Sequence, residues 1–500
     1  MAKAPTLPPS LSPFRVPDPA VARHPGALLA PRALNKWIVE LPLANPPKAA
    51  RMLLEQLRLL VRDPEPGARM GALLEAYTTP VDELQDVVDE RLQNGPDTAL
   101  PLDQLEFSLV ELLSELAYGQ LRIANSALSS GKIPDAELLY RALQLLERAL
   151  NLERLRYYRP SLDGWRLLLS IFLNAEALEI ADHEVSRELR RDGDPGTIQG
   201  LFYRALMSSL YDSNHRRPDQ LQAWRTWTGT HANLLEMTVL PQGPYAMPID
   251  ISGSLDPLAA ARRGKPGPEI RYLAADRFLQ VLQEDPQGPR ELHGALHDLI
   301  RGRKSPEQRQ NPRQPRNHPF AMRHGLRSIH ARLSELIQGG LPGGSEPAPV
   351  ACRQIDQSKS GSAFRLQGPL RPPLGIGDPV LMEAVSAANE NAAVGFIGRI
   401  RRLVNLPDQQ VEIGVEKLAG RLTPVELSGG AAQRLRGDTL ALLQHDQDAG
   451  RYVLIAARSL FREEDSVTAE GAHTRQVLRM RGLLEAVQQT AYILVDCSDA

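Results

Sequence analysis

The sequence predicts a multidomain α plus β protein: an irregular all-helical N-terminal domain, then a small β-barrel, then a second small β-domain. Apolar residues recur at three- and four-residue spacings from Trp37 to about Ile337, the period of an amphipathic helix. From Pro347 onward the pattern changes to short apolar runs bounded by Gly, Pro, Asn and Asp, as in the strands of a small barrel or sandwich. Between the two lies an Arg- and Pro-rich stretch of low apolar content that reads as loop. At 500 residues the chain exceeds one ordinary core.

Residues 1–35 contain PTLPPSLSPF and VPDPAVARHPG, dense in proline and without periodicity, and are expected to form a disordered Pro-rich arm. Residues 36–300 form the helical domain. Its run PPKAARMLLEQLRLLV places Ala50, Leu53, Leu54, Leu57 and Leu60 on one face, with Pro47 near the start, where a missing N–H costs little. Later helical runs open or close on Pro, Gly, Ser or Asp. Trp165, Trp224 and Trp227 keep no repeat spacing, so an irregular bundle is expected rather than a helical array. The first strand-like interruption is VLPQGPYAMPIDIS at 239–252. Residues 301–346 read as an Arg/Pro-rich hinge with a short helix, carrying arginines at 301, 303, 309, 313, 316, 323 and 327 and ending in a flexible joint, GGLPGGSEP. A first barrel is expected over 347–427 and a second β-barrel-like domain over 428–500.

A hydrophobic share of 42% and a charged share of 24% are those of a folded protein. The formal net charge of -2 gives no global field toward nucleic acid polymers or anionic lipid. Cys352 and Cys497 are the only cysteines, which argues for a reducing compartment and against a disulfide scaffold. No run of about 18 apolar residues offers a transmembrane segment, and no export signal opens the chain, so a cytoplasmic location is expected.

The polar residues placed for chemistry lie after Pro347. A strand signal ends in Asp356-Gln-Ser358-Lys-Ser-Gly361, where Asp and Ser can bond nearby backbone N–H groups and Gly permits a positive φ. Gly375-Ile-Gly377-Asp378-Pro379, a strand carrying Arg399, Arg401 and Arg402, and Val411-Glu-Ile-Gly414-Val415-Glu416 follow. Over roughly residues 320–427 this segment resembles a divergent PilZ domain, the bacterial receptor module for cyclic di-GMP. The resemblance implies that the Asp-x-Ser-x-x-Gly loop and an upstream Arg-x-x-x-Arg motif grip the dinucleotide; Arg323-His-Gly-Leu-Arg327 is taken for that motif.

The chemistry suits such a ligand. Arginine donates two parallel hydrogen bonds to a phosphate or to the guanine O6/N7 pair and stacks on a purine. An ionised Asp356 accepts from guanine N1–H and N2–H₂, Ser358 bonds phosphate or base, and Gly361 lets the loop turn tightly. Arg353 precedes the loop on its strand, and Arg399 and Arg401 share one strand face with Arg402 on the other. Arg323, Arg327, Arg353, Asp356, Ser358, Gly361, Arg399 and Arg401 are therefore the expected contacts, with Arg313 and Arg316 as further candidates.

Enzyme signatures are absent. His293-Gly-Ala-Leu-His297 lacks the glutamate that a metalloprotease helix needs, His324 and His330 read as solvent-facing, and there is no Walker loop, dinucleotide-fold glycine pattern or Gly-x-Ser-x-Gly. The sequence is read as a non-enzymatic cyclic di-GMP receptor or adaptor, without cofactor or metal, acting on an unidentified protein partner through the helical domain in motility, adhesion or biofilm control. The alternative is a ligand-free structural or protein-interaction scaffold.

Overall fold

The computed structural model describes residues 11–64, 69–94, 102–259, 269–286, 288–289, 294, 313–338, 348–368, 370, 373–386, 389–406, 408–435, 437–447, 449–472, 475–487 and 490–499. The chain divides into two compact units, one running to Gln308 and one from Arg309 onward, with Asn214–Arg217 grouped with the second. The expected histidine pair His293/His297, the arginines 301, 303 and 309 and the joint at 339–346 lie outside the described residues.

The first unit is built on helices α1 (Pro31–Val39), α2 (Pro46–Val61), α3 (Met70–Ala76), α4 (Thr78–Asn94), α5 (Leu102–Ser129), α6 (Ala136–Leu155), α7 (Leu162–Ala177), α8 (Ile198–Leu210) and α9 (Pro218–His231). Local chemistry sets their starts. The Asn45 side chain accepts from the Lys48 N–H ahead of α2, whose first positions are Pro46 and Pro47. Asp135, Ser161 and Thr197 cap α6, α7 and α8 in the same way, each occupying an otherwise orphaned helix N–H. Burial of Leu53, Leu54, Leu57 and Leu60 follows the predicted stripe of α2.

This unit is not all helix. Strands β1 (Glu236–Thr238), β2 (Ala246–Asp250) and β3 (Ile270–Ala274) form an antiparallel sheet in the order β1-β3-β2, followed by α10 (Asp276–Glu284). Met247 and Ile249 alternate inward on β2 and meet the same apolar cluster as Leu273, which makes a half-buried strand of what otherwise reads as loop. The Pro-rich arm also departs from expectation within residues 11–35. Phe14 is only 3% exposed, and α1 already begins at Pro31. A single aromatic residue with its backbone bonded by Asn125 is enough to order the segment around it.

Electrostatics reach the centre of the bundle. The fully buried Glu147 on α6 accepts from Arg204 Nη2 at 3.0 Å and from Arg225 Nε and Nη2 at 2.8 and 2.7 Å. Arg204 also donates to Asp194 at 2.6 Å, so α6, α8, α9 and the loop before α8 converge on one ionic knot. Such a knot is held by its mutual pairing, since each charge would be costly alone in the interior.

The second unit holds two barrels. β4 (Gln314–Pro315), β5 (Pro319–His324), β6 (Val350–Gln357), β7 (Gly361–Gln367), β8 (Pro379–Ser386), β9 (Asn389–Asn405) and β10 (Gln410–Lys417) form a sheet in the order β4-β6-β5-β8-β9-β10-β7, and pairing of β6 with β7 closes it. The first barrel therefore starts well before residue 347. Its β5 comes from the stretch read as hinge, and α11 (Leu326–Gln338) lies between β5 and β6. Strands β11 (Arg421–Ser428), β12 (Leu440–Asp446), β13 (Arg451–Ala457), β14 (Ser466–Glu470), β15 (Arg475–Val487) and β16 (Thr490–Asp499) close the second barrel in the order β11-β12-β13-β16-β15-β14. The segment 421–427, expected in the first barrel, belongs to the second because Val425 and Leu427 point into its core.

The barrels share an apolar seam. Ile329 and Leu333 of α11, Leu381 of β8, Leu442, Val453 and Ile455 of β12 and β13, and Val487 and Tyr492 of β15 and β16 form one buried cluster. The Tyr492 hydroxyl donates to the Gly377 carbonyl at 2.8 Å inside it.

Burial alone would raise the Glu147 pKa, but Arg204 and Arg225 outweigh it and hold it at about 2 against an ordinary 4.5. A folded-state value below the unfolded one adds stability above about pH 4.5 that is lost as the pH falls toward 2. Urea unfolding followed by far-UV circular dichroism should thus show falling stability across that window. Glu147→Gln should cost about 3–5 kcal/mol at pH 7 by leaving arginines unpaired in the interior and should flatten the acid limb.

Candidate functional site

The predicted turn joins β6 to β7. A register shift between Gln354 and Asp356 interrupts the ladder just before it and leaves the Asp356 carboxylate free to serve two partners. One oxygen accepts from the Ala363 N–H at 3.2 Å, fixing the side chain across the hairpin. The other accepts from Arg313 Nη1 at 2.7 Å. Ser358 closes the turn, since its N–H and its hydroxyl both donate to the Gly361 carbonyl, at 2.8 and 3.2 Å.

Gly361 is required for a different reason from the one expected. Its φ is not positive. A Cβ there would stand 2.3 Å from the Val415 carbonyl oxygen of β10, so close passage of the neighbouring backbone demands glycine.

Arginines gather along this end of β6. β4 pairs with it through Gln314 opposite Gln357 and Pro315 opposite Asp356, and the Arg316 N–H donates to the Ile355 carbonyl at 2.9 Å. The exposed Arg316 side chain donates to Gln314 at 2.8 Å and reaches Gln357 at 3.4 Å, while Arg353 Nη1 donates to Asn317 at 3.0 Å. Arg313, Arg316 and Arg353 thus stand beside Asp356 and Ser358, each held by a single residue or by neutral amides that a stronger anion can replace.

The other expected arginines are placed elsewhere. Arg323 lies at the far end of the barrel from the turn: Pro319 of β5 is opposite Arg353 and Met322 opposite Val350. At about 3.3 Å per residue, the seven-residue offset along the strand puts Arg323 roughly 20 Å from Asp356. It donates instead to the buried Glu383 at 3.1 Å, which also accepts from Arg332 of α11 at 2.8 Å. Arg327 is exposed on the first turn of α11, at that same far end. Arg399 and Arg401 are level with Gly361 but two strands away, across β10, where Gly361 is opposite Glu416 and Glu416 opposite Arg399. Both donate to Glu416, at 2.6 and 2.8 Å, and both pair with Glu485 of the second barrel. Burial works against the Glu416 carboxylate, yet the two arginines outweigh it and hold its pKa below the usual range. These arginines join barrels. Arg402, on the opposite face as expected, turns to Glu412.

The signal for Arg313 was in the sequence. Arg309-Gln-Asn-Pro-Arg313 has the same four-residue spacing as Arg323 to Arg327 and ends where β4 begins; Arg309 itself lies outside the described residues. Helix α11 lengthens the sequence gap between Arg313 and Asp356, which hides their proximity. His324 and His330 are half-buried rather than solvent-facing, and burial holds both below the ordinary histidine pKa. Burial also pushes the Cys352 thiol up to about 12, which makes it a poor nucleophile. Among the described residues no group of three or more His, Cys, Asp or Glu is placed to hold a metal ion, and no helix is long and apolar enough to cross a membrane.

A helical body followed by two closed barrels, with an acidic turn set among arginines, has the make-up of a binding protein. Residues 32–242, less than half of the chain, match the family model described as cyclic-di-GMP receptor FimW, N-terminal domain. The chain therefore carries a domain similar to the N-terminal domain of a cyclic di-GMP receptor, spanning α1 to α9 and β1. No curated protein matches the chain.

Gly361→Ala should destabilise the second unit by about 1–3 kcal/mol, the usual cost of forcing an extra methyl into a packed site. Thermal melts should show the loss in the β-sheet signal, with the helical transition unmoved.

Proposed function

We propose that the chain is a cytoplasmic, non-enzymatic cyclic di-GMP receptor whose site is the Asp356 to Gly361 turn of the first barrel, and that this barrel is a divergent PilZ domain. The observation that carries the reading is the Arg313–Asp356 contact, because it brings the arginine-rich lead-in against the acidic turn. Cyclic di-GMP offers both halves of an exchange. Guanine N1–H and N2–H₂ take over the Asp356 carboxylate, and the released Arg313 turns to a phosphodiester or to O6/N7. Arg316 and Arg353 give up neutral amides for the second phosphate. The match of the helical domain to a receptor of this same ligand supports the choice of messenger.

Ligand binding in this reading orders the lead-in between the two units, and the helical domain passes the change to a protein partner in motility, adhesion or biofilm control. A ligand can bias that arrangement only by its difference in affinity for the two states. The second reading, a ligand-free interaction scaffold, is favoured by the pairing of Arg323, Arg399 and Arg401 with Glu383, Glu416 and Glu485, which leaves those three cations structural.

Calorimetry on the purified chain separates the two. Uptake of cyclic di-GMP, weakened at least about tenfold by Arg313→Ala or Asp356→Ala, each a loss of roughly 1.5–3 kcal/mol of charged hydrogen bonding, and not reproduced by GMP or GTP, is the expected result. Arg323→Ala should lower the melting temperature and leave the affinity of the folded protein unchanged. No heat with any of the nucleotides leaves the scaffold.

A further inference from the structure

The Pro-rich arm is held in the way a peptide ligand is held. Asn125 of α5 clamps the Phe14 backbone from both sides, accepting from its N–H at 2.8 Å and donating to its carbonyl at 2.9 Å. Asn174 of α7 donates to the Ser12 carbonyl at 3.4 Å. One side chain is swallowed: Phe14 joins the apolar cluster that includes Leu121 and Ala124 of α5 and Ile171 and Ala175 of α7, with Leu11 and Val16 packed at its margin. Ser12, Pro13 and Arg15 face outward. Main-chain bonds that ignore sequence, together with one deep pocket that reads it, are how extended peptides are recognised.

The segment is also separable. Asp18 to Gly26 is exposed throughout and contains Pro19 and Pro25, while the next inward-facing residues, Leu28 and Leu29, pack on a different apolar cluster. The asparagine side chains would lose their partners if the arm left, and a buried amide without a partner is costly. The groove is therefore poorly suited to standing empty.

We propose that the α5/α7 groove is a peptide-recognition site held closed by the chain's own residues 11–16, and that a partner protein occupies it with an extended segment bearing phenylalanine after proline between aliphatic residues. The arm defines that chemistry because it is the occupant seen. Tethered in cis, it competes at an effective concentration on the order of millimolar, so a partner gains the groove only when the arm is drawn away or outcompeted. This inference stands apart from whether the barrel takes a nucleotide.

The test uses the full-length chain and a fluorescent synthetic peptide spanning residues 11–19. Phe14→Ala in the chain empties the pocket and should tighten binding of the wild-type peptide at least about tenfold over the wild-type chain, and a peptide carrying Phe14→Ala should bind neither. Adding Asn125→Ala to the emptied chain should abolish the gain. In the wild-type chain, which needs no variant, millimolar unlabelled peptide should raise hydrogen exchange across residues 11–16. Unchanged exchange, or a folded Phe14→Ala chain that binds the peptide no better than wild type, overturns the proposal. Wild-type dimers that Phe14→Ala dissolves would overturn it in favour of arm exchange between two copies.

Discussion

The apolar seam between the barrels fixes the second unit. Tyr492, buried with its hydroxyl on the Gly377 carbonyl, stands where α11, β8 and the second barrel meet. Burial raises its pKa, so it stays a neutral donor. Around it Ile329 and Leu333 of α11 fill the space between two sheets that would otherwise each show water an apolar wall. Arg399 and Arg401 then close the edge of the seam by sharing Glu416 of one barrel and Glu485 of the other. Each barrel alone would leave part of its hydrophobic surface uncovered, so the two behave as one body, and a ligand that moves part of the first barrel acts against the stiffness of both.

That constraint explains which arginines are available. A guanidinium in a buried or bridging pair is committed, because removing its carboxylate leaves a charge in a poor dielectric. Arg323 and Arg332 on Glu383 are of this kind, and they tie α11 to the barrel wall. Arg313, Arg316 and Arg353 sit on an exposed edge, where bonds to amides and to one carboxylate exchange readily with solvent or ligand.

What the sequence made legible follows from how local each signal is. Helix faces and caps in the first unit are decided within one turn of chain, so the Leu53 to Leu60 stripe and the starts at Pro46, Asp135 and Ser161 could be read directly. The hairpin at Asp356 to Gly361 was legible for the same reason. Pairings across long loops were not. β5 looks like part of a polar hinge because its partners, β6 and β8, lie beyond α11, and Arg313 meets Asp356 only after that helix is folded. The arm misled in the opposite direction. Its composition is that of a disordered segment, and only Asn125, more than a hundred residues away, reveals that Phe14 has a seat. Gly361 was right in identity and wrong in cause, since the clash that excludes a side chain comes from Val415 on a strand that no local pattern links to the turn.

The strand that delivers Arg313 is two residues long, and one of the two, Pro315, has no N–H to give. Its hold on β6 is correspondingly slight. In a barrel whose long β9–β10 ladder opens only with the whole unit, such a strip is a weakly cooperative margin that detaches by itself at small free-energy cost. The gate over the acidic turn is thus a fraying margin of the sheet, fast to open and fast to close, and a small molecule can catch it open without waiting for the barrel to unfold.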